Sequence, residues 1–467
     1  MLEAGLVGDV LDEALARGAD FAEVFVEESR RLTFRYIDRS VKECLSGCDV
    51  GAGVRVLYGA RAGYAYTSDL SRDSLLASAR AAAAAGKNGG AAARAKFGRA
   101  RSHEAGGVEV SPAAADLATF VDFARGADEA ARGADEFVTQ VTVSIGGVDR
   151  TVQVATSEGA LASERRVYFR PMVQAIATKG AERQTGYEKR DLRAGAEALA
   201  GLDPADIGRE AARIAGTMVR APHAPAGVMP VVIGNAFGGV IFHEACGHAL
   251  ETTAVSRSAS VFAGKIGELV ASECVTAIDD GTLPNMYGST AIDDEGAPTA
   301  RTVLIERGVL RSYLSDRLGE IKTGAPRTGS GRRQDYRHAP TSRMRNTFID
   351  AGDAQFDAML AAASDNGKIA LYAKRMGGGS VNPGTGDFNF AVLEGYLIKG
   401  GKVAGPVRGA SLIGRGHEVL KRIALVGDDL ALDGGTCGSL SGWVPTCVGQ
   451  PTILVSEIVV GGREAKA

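Results

Sequence analysis

One tryptophan, six cysteines and six histidines occur among 467 residues, so the few side chains able to grip a soft metal or act as a nucleophile are easy to isolate. The six cysteines are irregularly spaced, which excludes a dense disulfide framework and predicts reduced thiols. Cys44 and Cys48 form a lone Cys-x-x-x-Cys with no second pair nearby and read as structural or incidental. No long apolar run suggests a membrane span. The longest mostly apolar stretch, Gly227 to Phe242, is broken by Pro230 and Asn235 and reads as core. A net charge of −3 gives no basic field for nucleic acid. Met1-Leu2-Glu3-Ala4 lacks the basic start and apolar centre of a secretory signal, which predicts a cytoplasmic protein. A nucleophile elbow is missing as well: Gly409-Ala410-Ser411-Leu412-Ile413 fails at its last position, leaving Ser411 as a loop residue. The glycines of Gly377-Gly378-Gly379-Ser380 and Gly384-Thr385-Gly386 lack the lysine of a phosphate-binding loop.

Glycine is abundant instead. With 62 glycines and 14 prolines but no collagen-like period, the chain reads as many turns between short strands. Leu6 to Arg17 has the pattern of an amphipathic helix, Ala22 to Glu27 and Leu32 to Tyr36 alternate as strands, and Ser74 to Ala85 reads as helical. The stretch 86–107, crowded with Gly, Ala, Lys and Arg, reads as a flexible connection. A helix at Pro112 to Gly133 and strands at 137–144, 151–156 and 166–178 follow, then a helix at Pro204 to Val219 that Pro222 closes. The fold class is α+β. An N-terminal α/β region with antiparallel sheets is expected over 1–221, in two stretches of about 1–85 and 108–221, followed by a sheet-rich domain over 222–467.

The chemistry concentrates in Phe242-His243-Glu244-Ala245-Cys246-Gly247-His248-Ala249-Leu250-Glu251. Neutral imidazoles are common zinc ligands, and a glutamate that stays off the metal can take a proton from an attacking water. The offset of five between His243 and His248 differs from the four of the familiar zinc-peptidase pattern. On an ideal α-helix, five residues turn through roughly 140°, so the rings can share a metal only where the helix unwinds; a π-turn does this, and Gly247 eases it. Met229 to Gly234 reads as a buried strand, Asn235 as a helix N-cap and Ala236 to Thr252 as a buried metal-binding helix. A third ligand must come from elsewhere, and Glu268, Glu273, Cys437 and Cys447 are the candidates. Cys246 reads as a packing residue. The basic run Arg327 to Arg345 reads either as a solvated face or as a contact to a substrate carboxylate or oxyanion, with Tyr336 and His338 as candidates for the latter.

The motif resembles H-E-A-x-G-H-x-x-E of the TldD/PmbA metallopeptidase family, on its metal-bearing TldD-like side. The resemblance extends to Phe262–Gly267, Asp293–Thr299, Pro340–Thr347, Gly409–Gly414, Val426–Leu430, Gly435-Thr436-Cys437-Gly438 and Val448–Thr452, and weakly to Gly51–Val56. It implies a C-terminal zinc metallopeptidase domain holding one zinc through His243, His248 and Cys437, with Glu244 as general base. A thiolate makes the metal a weaker acid than an imidazole would, so Glu244 must supply more of the activation. The substrates implied are peptides or unfolded protein segments, and the assembly a homodimer or a heterodimer with a metal-free paralogue. Two other classes are weighed beside it. One is a hydrolase of non-peptide amides; the other is an assembly module whose structural metal is closed by Cys447 or Glu251.

Overall fold

The computed structural model describes residues 1–84, 97–98, 101–103, 108–382 and 384–463. Most of the stretch 86–107, expected to be a flexible connection, lies outside the described residues.

Val7, Val10, Leu11 and Ala14 recur at helical spacing and are buried on the helix Ala4–Leu15. Two longer helices, Leu117–Ala134 and Pro204–Arg220, each start behind an aspartate, Asp116 and Asp203, whose carboxylate accepts the first free amide hydrogens. These helices cover one sheet that runs through both N-terminal stretches. Its order is Arg61–Thr67, Ser40–Tyr58, Phe21–Ile37, Val138–Thr156 and Leu161–Lys179, with Glu182–Lys189 and the short Arg101–His103 both pairing to the last. Where the alternation suggested two strands around Glu28 to Arg31, there is one of 17 residues. The polar middle does not interrupt it because Phe21–Ile37 is paired on both sides, to Ser40–Tyr58 and to Val138–Thr156.

Among the described residues the C-terminal half contains two large β structures and a two-stranded sheet, Gly331–Arg332 with Thr341–Ser342. Gly227–Ile233, Ala370–Val381, Asp387–Lys399, Ser411–Arg415 and Ile453–Gly461 pair in a closed ring, since Ala370–Val381 bonds to both Gly227–Ile233 and Asp387–Lys399. Closure pairs each of these five strands on both sides, and Lys402–Val407 and Ile423–Val426 join the same sheet as edge strands. A separate six-stranded sheet ends in the hairpin Ala431–Ser439 and Gly442–Gln450, with Ala431–Ser439 at its edge. The helical segment after residue 235 shares one core with both: Ala245, Cys246, Ala249 and Leu250 are buried in the same cluster as Val231, Leu371 and Leu412 of the barrel and Leu304 and Val448 of the sheet. Among the described residues no helix is long and apolar enough to cross a membrane.

The basic run is neither a solvated face nor a free substrate contact. Arg332, Arg333, Arg343 and Arg345 are buried, and Arg333 reaches Glu23 of the N-terminal sheet while Arg337 binds Asp49 at 2.7 Å. Arg55 bridges Glu23 and Glu295, and Arg166 reaches Asp294 at 2.6 Å. A row of ion pairs thus joins the two halves, buried at Arg55, Arg166 and Arg333 and exposed at Arg337, each of these four guanidiniums matched by a carboxylate of the other half.

Candidate metal centre

The segment that carries the two histidines changes pitch along its length. A 3-10 turn over Ala236–Gly239 passes to one α turn at Val240–Phe242, a π turn at His243–Gly247 and a 3-10 turn at His248–Leu250. Asn235 does not cap it by its side chain, which donates instead to the Asp429 carbonyl at 2.9 Å. Within the π turn the His248 N–H donates to the His243 carbonyl, five residues back. That bond places the imidazoles together, their ring centroids 5.3 Å apart and their planes at 84°. Gly247 matters through space rather than flexibility: a Cβ there would lie 2.1 Å from the Met344 sulfur.

The edge strand Ala431–Ser439 supplies the third donor. Cys437 Sγ lies 3.2 Å from Nε2 of His243 and 3.2 Å from Nε2 of His248. Glu244 joins them, with Oε2 3.7 Å from His248 Nε2, and the ligand atoms of all four residues lie within 4.8 Å of one another. His243, His248 and Cys437 are buried while Glu244 is partly exposed, which leaves its carboxylate able to reach both the donor group and solvent.

Electrostatics favour the ligating form of Cys437, the thiolate, and keep the proton on His248. Burial alone would raise the Cys437 thiol, yet the two facing imidazoles hold it well below the usual thiol range. Burial would lower His248, but the Glu251 carboxylate and the Cys437 sulfur hold it well above the ordinary value. Without a metal, a thiolate therefore faces an imidazolium; a bound dication would take the place of that proton. Two imidazole nitrogens and one thiolate fit a divalent ion of borderline softness such as zinc.

Two supporting residues escaped the sequence reading in these roles. Glu251 stands 3.2 Å from His248 Nδ1, so it orients the ring rather than closing a metal shell. Arg343, fully buried, donates to the carbonyls of Cys437 at 2.7 Å and Gly442 at 2.9 Å and so fixes the hairpin that presents the sulfur. The other candidates lie apart. Glu268 and Glu273 are exposed and outside the donor group. Cys447 is buried beside Tyr168 and Tyr287, and burial pushes its thiol up to about 11. Cys246 is a core residue whose thiol burial also pushes up. The Tyr336 hydroxyl donates to Asp49 at 3.2 Å across the junction between the halves, and His338 Nδ1 lies 2.9 Å from Asp335, three residues back in the same segment.

A buried imidazole and thiolate group beside a reachable carboxylate is the chemistry of a metal-dependent hydrolase. Comparison with known proteins narrows this. Residues 226–462 match the PmbA/TldA metallopeptidase C-terminal domain, 111–219 its central domain and 22–86 its domain 1. A protein named metalloprotease TldD homolog from Haemophilus influenzae is 36% identical, covering 97% of this chain and 95% of its own. One of the same name from Buchnera aphidicola is 32% identical over 99% of this chain and 98% of its own. A zinc metalloprotease TldD homolog from Saccharolobus solfataricus is 29% identical over 51% of this chain and 52% of its own. In fold, TldE from Thermococcus kodakarensis matches with a TM-score of 0.75 at 19% identity, covering 98% of this chain and 100% of that one. The chain belongs to the PmbA/TldD metallopeptidase family, and it is a metallopeptidase.

Proposed function

We propose that this metallopeptidase is zinc-dependent, holds one zinc per chain through His243, His248 and Cys437, and hydrolyses peptide bonds in small or unfolded peptides with Glu244 as general base. The observation that carries the reading is the meeting of those three donors, 3.2 Å apart at the sulfur, beside the partly exposed Glu244. When bound, zinc lowers the pKa of a coordinated water towards about 7 and polarises a carbonyl. Glu244 receives the water's proton and hands it to the leaving amine. Glu251 holds His248 by Nδ1, which keeps the Nε2 lone pair directed at the donor group. The name of the Saccharolobus relative supports zinc. The reading includes a two-chain assembly, with a second copy or a metal-free paralogue. Six free cysteines agree with a cytoplasmic location.

The test is a mixed peptide library digested by the purified chain beside its Glu244→Ala variant, with cleavage read by mass spectrometry and zinc counted in both. Both proteins are expected to hold one zinc, and only the wild type to cut. Equal cutting by the variant removes Glu244 from the mechanism. A zinc-loaded wild type that cuts no peptide, alone or mixed with a paralogue, removes peptides as the substrate.

A further inference from the structure

A cavity of about 470 Å³ lies along the two elements that carry the metal donors, without including any of the four donor residues. Its walls continue the two elements that bring the donors together. Asp433 and Gly434 lie on the strand that carries Cys437, and Asn235 to Gly238 begin the segment that carries the histidines. The end of the strand Glu182–Lys189 and the barrel strand Ala370–Val381 complete it. Asp433 and Cys437 are four residues apart on a strand paired without a bulge, so they point to one face and stand about 13 Å apart. An extended chain leaving the metal centre along this strand covers about four residues before it reaches the cavity.

The charged groups of the lining are already matched. Lys189 binds Asp191 and, at 2.7 Å, Asp433; Arg190 binds Glu188; Arg375 binds Glu188 and Glu210; Lys374 lies 3.1 Å from Glu394. Beside these matched charges, which make up much of the wall, the lining offers the half-buried rings of Tyr187, Phe237 and Tyr372, with Leu192, Leu393 and Leu432. Ala236, at the rim, is held at a φ of 54°, a left-handed conformation that non-glycine residues adopt rarely and that gathers at ligand sites. It turns the chain so that Phe237 enters the wall.

We infer that this cavity is a specificity subsite, taking a large apolar side chain, aromatic or branched aliphatic, of a bound peptide about four residues from the bond that is cut. The inference rests on the peptidase reading. It makes substrates out of segments that carry exposed apolar residues, as unfolded chains do, and it leaves very short peptides without this contact.

The test compares the zinc-loaded wild type with Tyr187→Ala, which removes one ring of the wall, and Leu393→Trp, which fills the cavity. Each digests a peptide library and a set of tetrapeptides too short to reach it. In the wild type, apolar residues are expected to be enriched at one position about four residues from the cut. In both variants the enrichment disappears and KM for those peptides rises about tenfold, while kcat, zinc content and tetrapeptide cleavage stay unchanged. Wild-type cutting with no such enrichment, or an enrichment that both variants keep, overturns the subsite and leaves the peptidase reading standing. A wild type that cuts neither set overturns that reading, and the subsite with it.

Discussion

Glu251 and Cys437 hold His248 from opposite ends of its ring: the carboxylate stands 3.2 Å from Nδ1 and the sulfur 3.2 Å from Nε2. The carboxylate is itself buried, with Arg343 Nε 3.8 Å away. A carboxylate behind a ligating histidine fixes its tautomer and raises its basicity. Glu251→Gln is therefore expected to weaken metal binding about 10- to 100-fold without unfolding the protein. Chelator competition followed beside circular dichroism measures both; unchanged affinity would mean that packing alone orients the ring.

Gly247→Ala places a methyl group 2.1 Å from the Met344 sulfur, in a buried neighbourhood that cannot expand freely. The expected cost is about 1–3 kcal/mol of stability, together with loss of metal as the π turn is pushed open. Adding Met344→Ala makes room. The double variant should regain metal while staying less stable than the wild type, because truncating a buried methionine costs about 2–5 kcal/mol on its own. Urea midpoints and metal counts on the four proteins of this cycle decide it.

Arg343 reaches Ser441 Oγ as well as the carbonyls of Cys437 and Gly442. Arg343→Lys keeps the charge but loses the planar fork, so part of this set goes unmet. About 1.5–3 kcal/mol of stability should be lost for each hydrogen bond to a charged group that is not replaced. Cobalt substituted at the metal centre gives a second reading: a changed thiolate-to-metal absorption band would show that the cysteine has shifted.

Glu394, buried on the barrel, accepts from Arg213 at 2.9 Å and from the Tyr396 hydroxyl at 2.6 Å, with Lys374 at 3.1 Å. Burial alone would raise this carboxyl, but the Arg213 fork, the Tyr396 hydroxyl and Lys374 bring it down to about 2. A folded-state value below the unfolded one of about 4.3 stabilises the protein above the latter, and the contribution is lost as pH falls through the former. Glu394→Gln should cost about 3–5 kcal/mol near neutral pH, as for a broken buried pair. The gap between variant and wild type should stay constant down to about pH 5 and narrow below it; urea midpoints across that range measure it.

Much of the candidate site was legible because the geometry that gathers its donors is local. An offset of five between His243 and His248 cannot serve one metal on an α-helix, and the π turn at His243–Gly247 is the local answer. Strand alternation turns Cys437 towards the imidazoles, whereas Cys447 on the neighbouring strand packs against tyrosines. Where the partners are remote, the residues alone gave little. Arg333 looks like any surface arginine until Glu23, 310 positions away, is folded against it. The closed barrel was equally hidden, since closure depends on the pairing of Ala370–Val381 with two different strands, and strand composition carries no trace of which neighbours it will find.

That arginine-rich stretch has a further consequence. Within thirteen residues, Arg333 is spent on the N-terminal sheet and Arg345 on the Thr290 hydroxyl and the Gly329 carbonyl, with Arg343 between them holding the Cys437 strand. The chain segment that positions the sulfur is therefore anchored at one end in the other half of the molecule. Cutting the protein near residue 222 would take from Arg333 both the Glu23 carboxylate and the Phe25 ring its guanidinium covers, ten residues from the brace at Arg343. The N-terminal sheet thus acts as a counter-charge to the segment that braces the Cys437 strand, and removing the sheet is expected to loosen that brace.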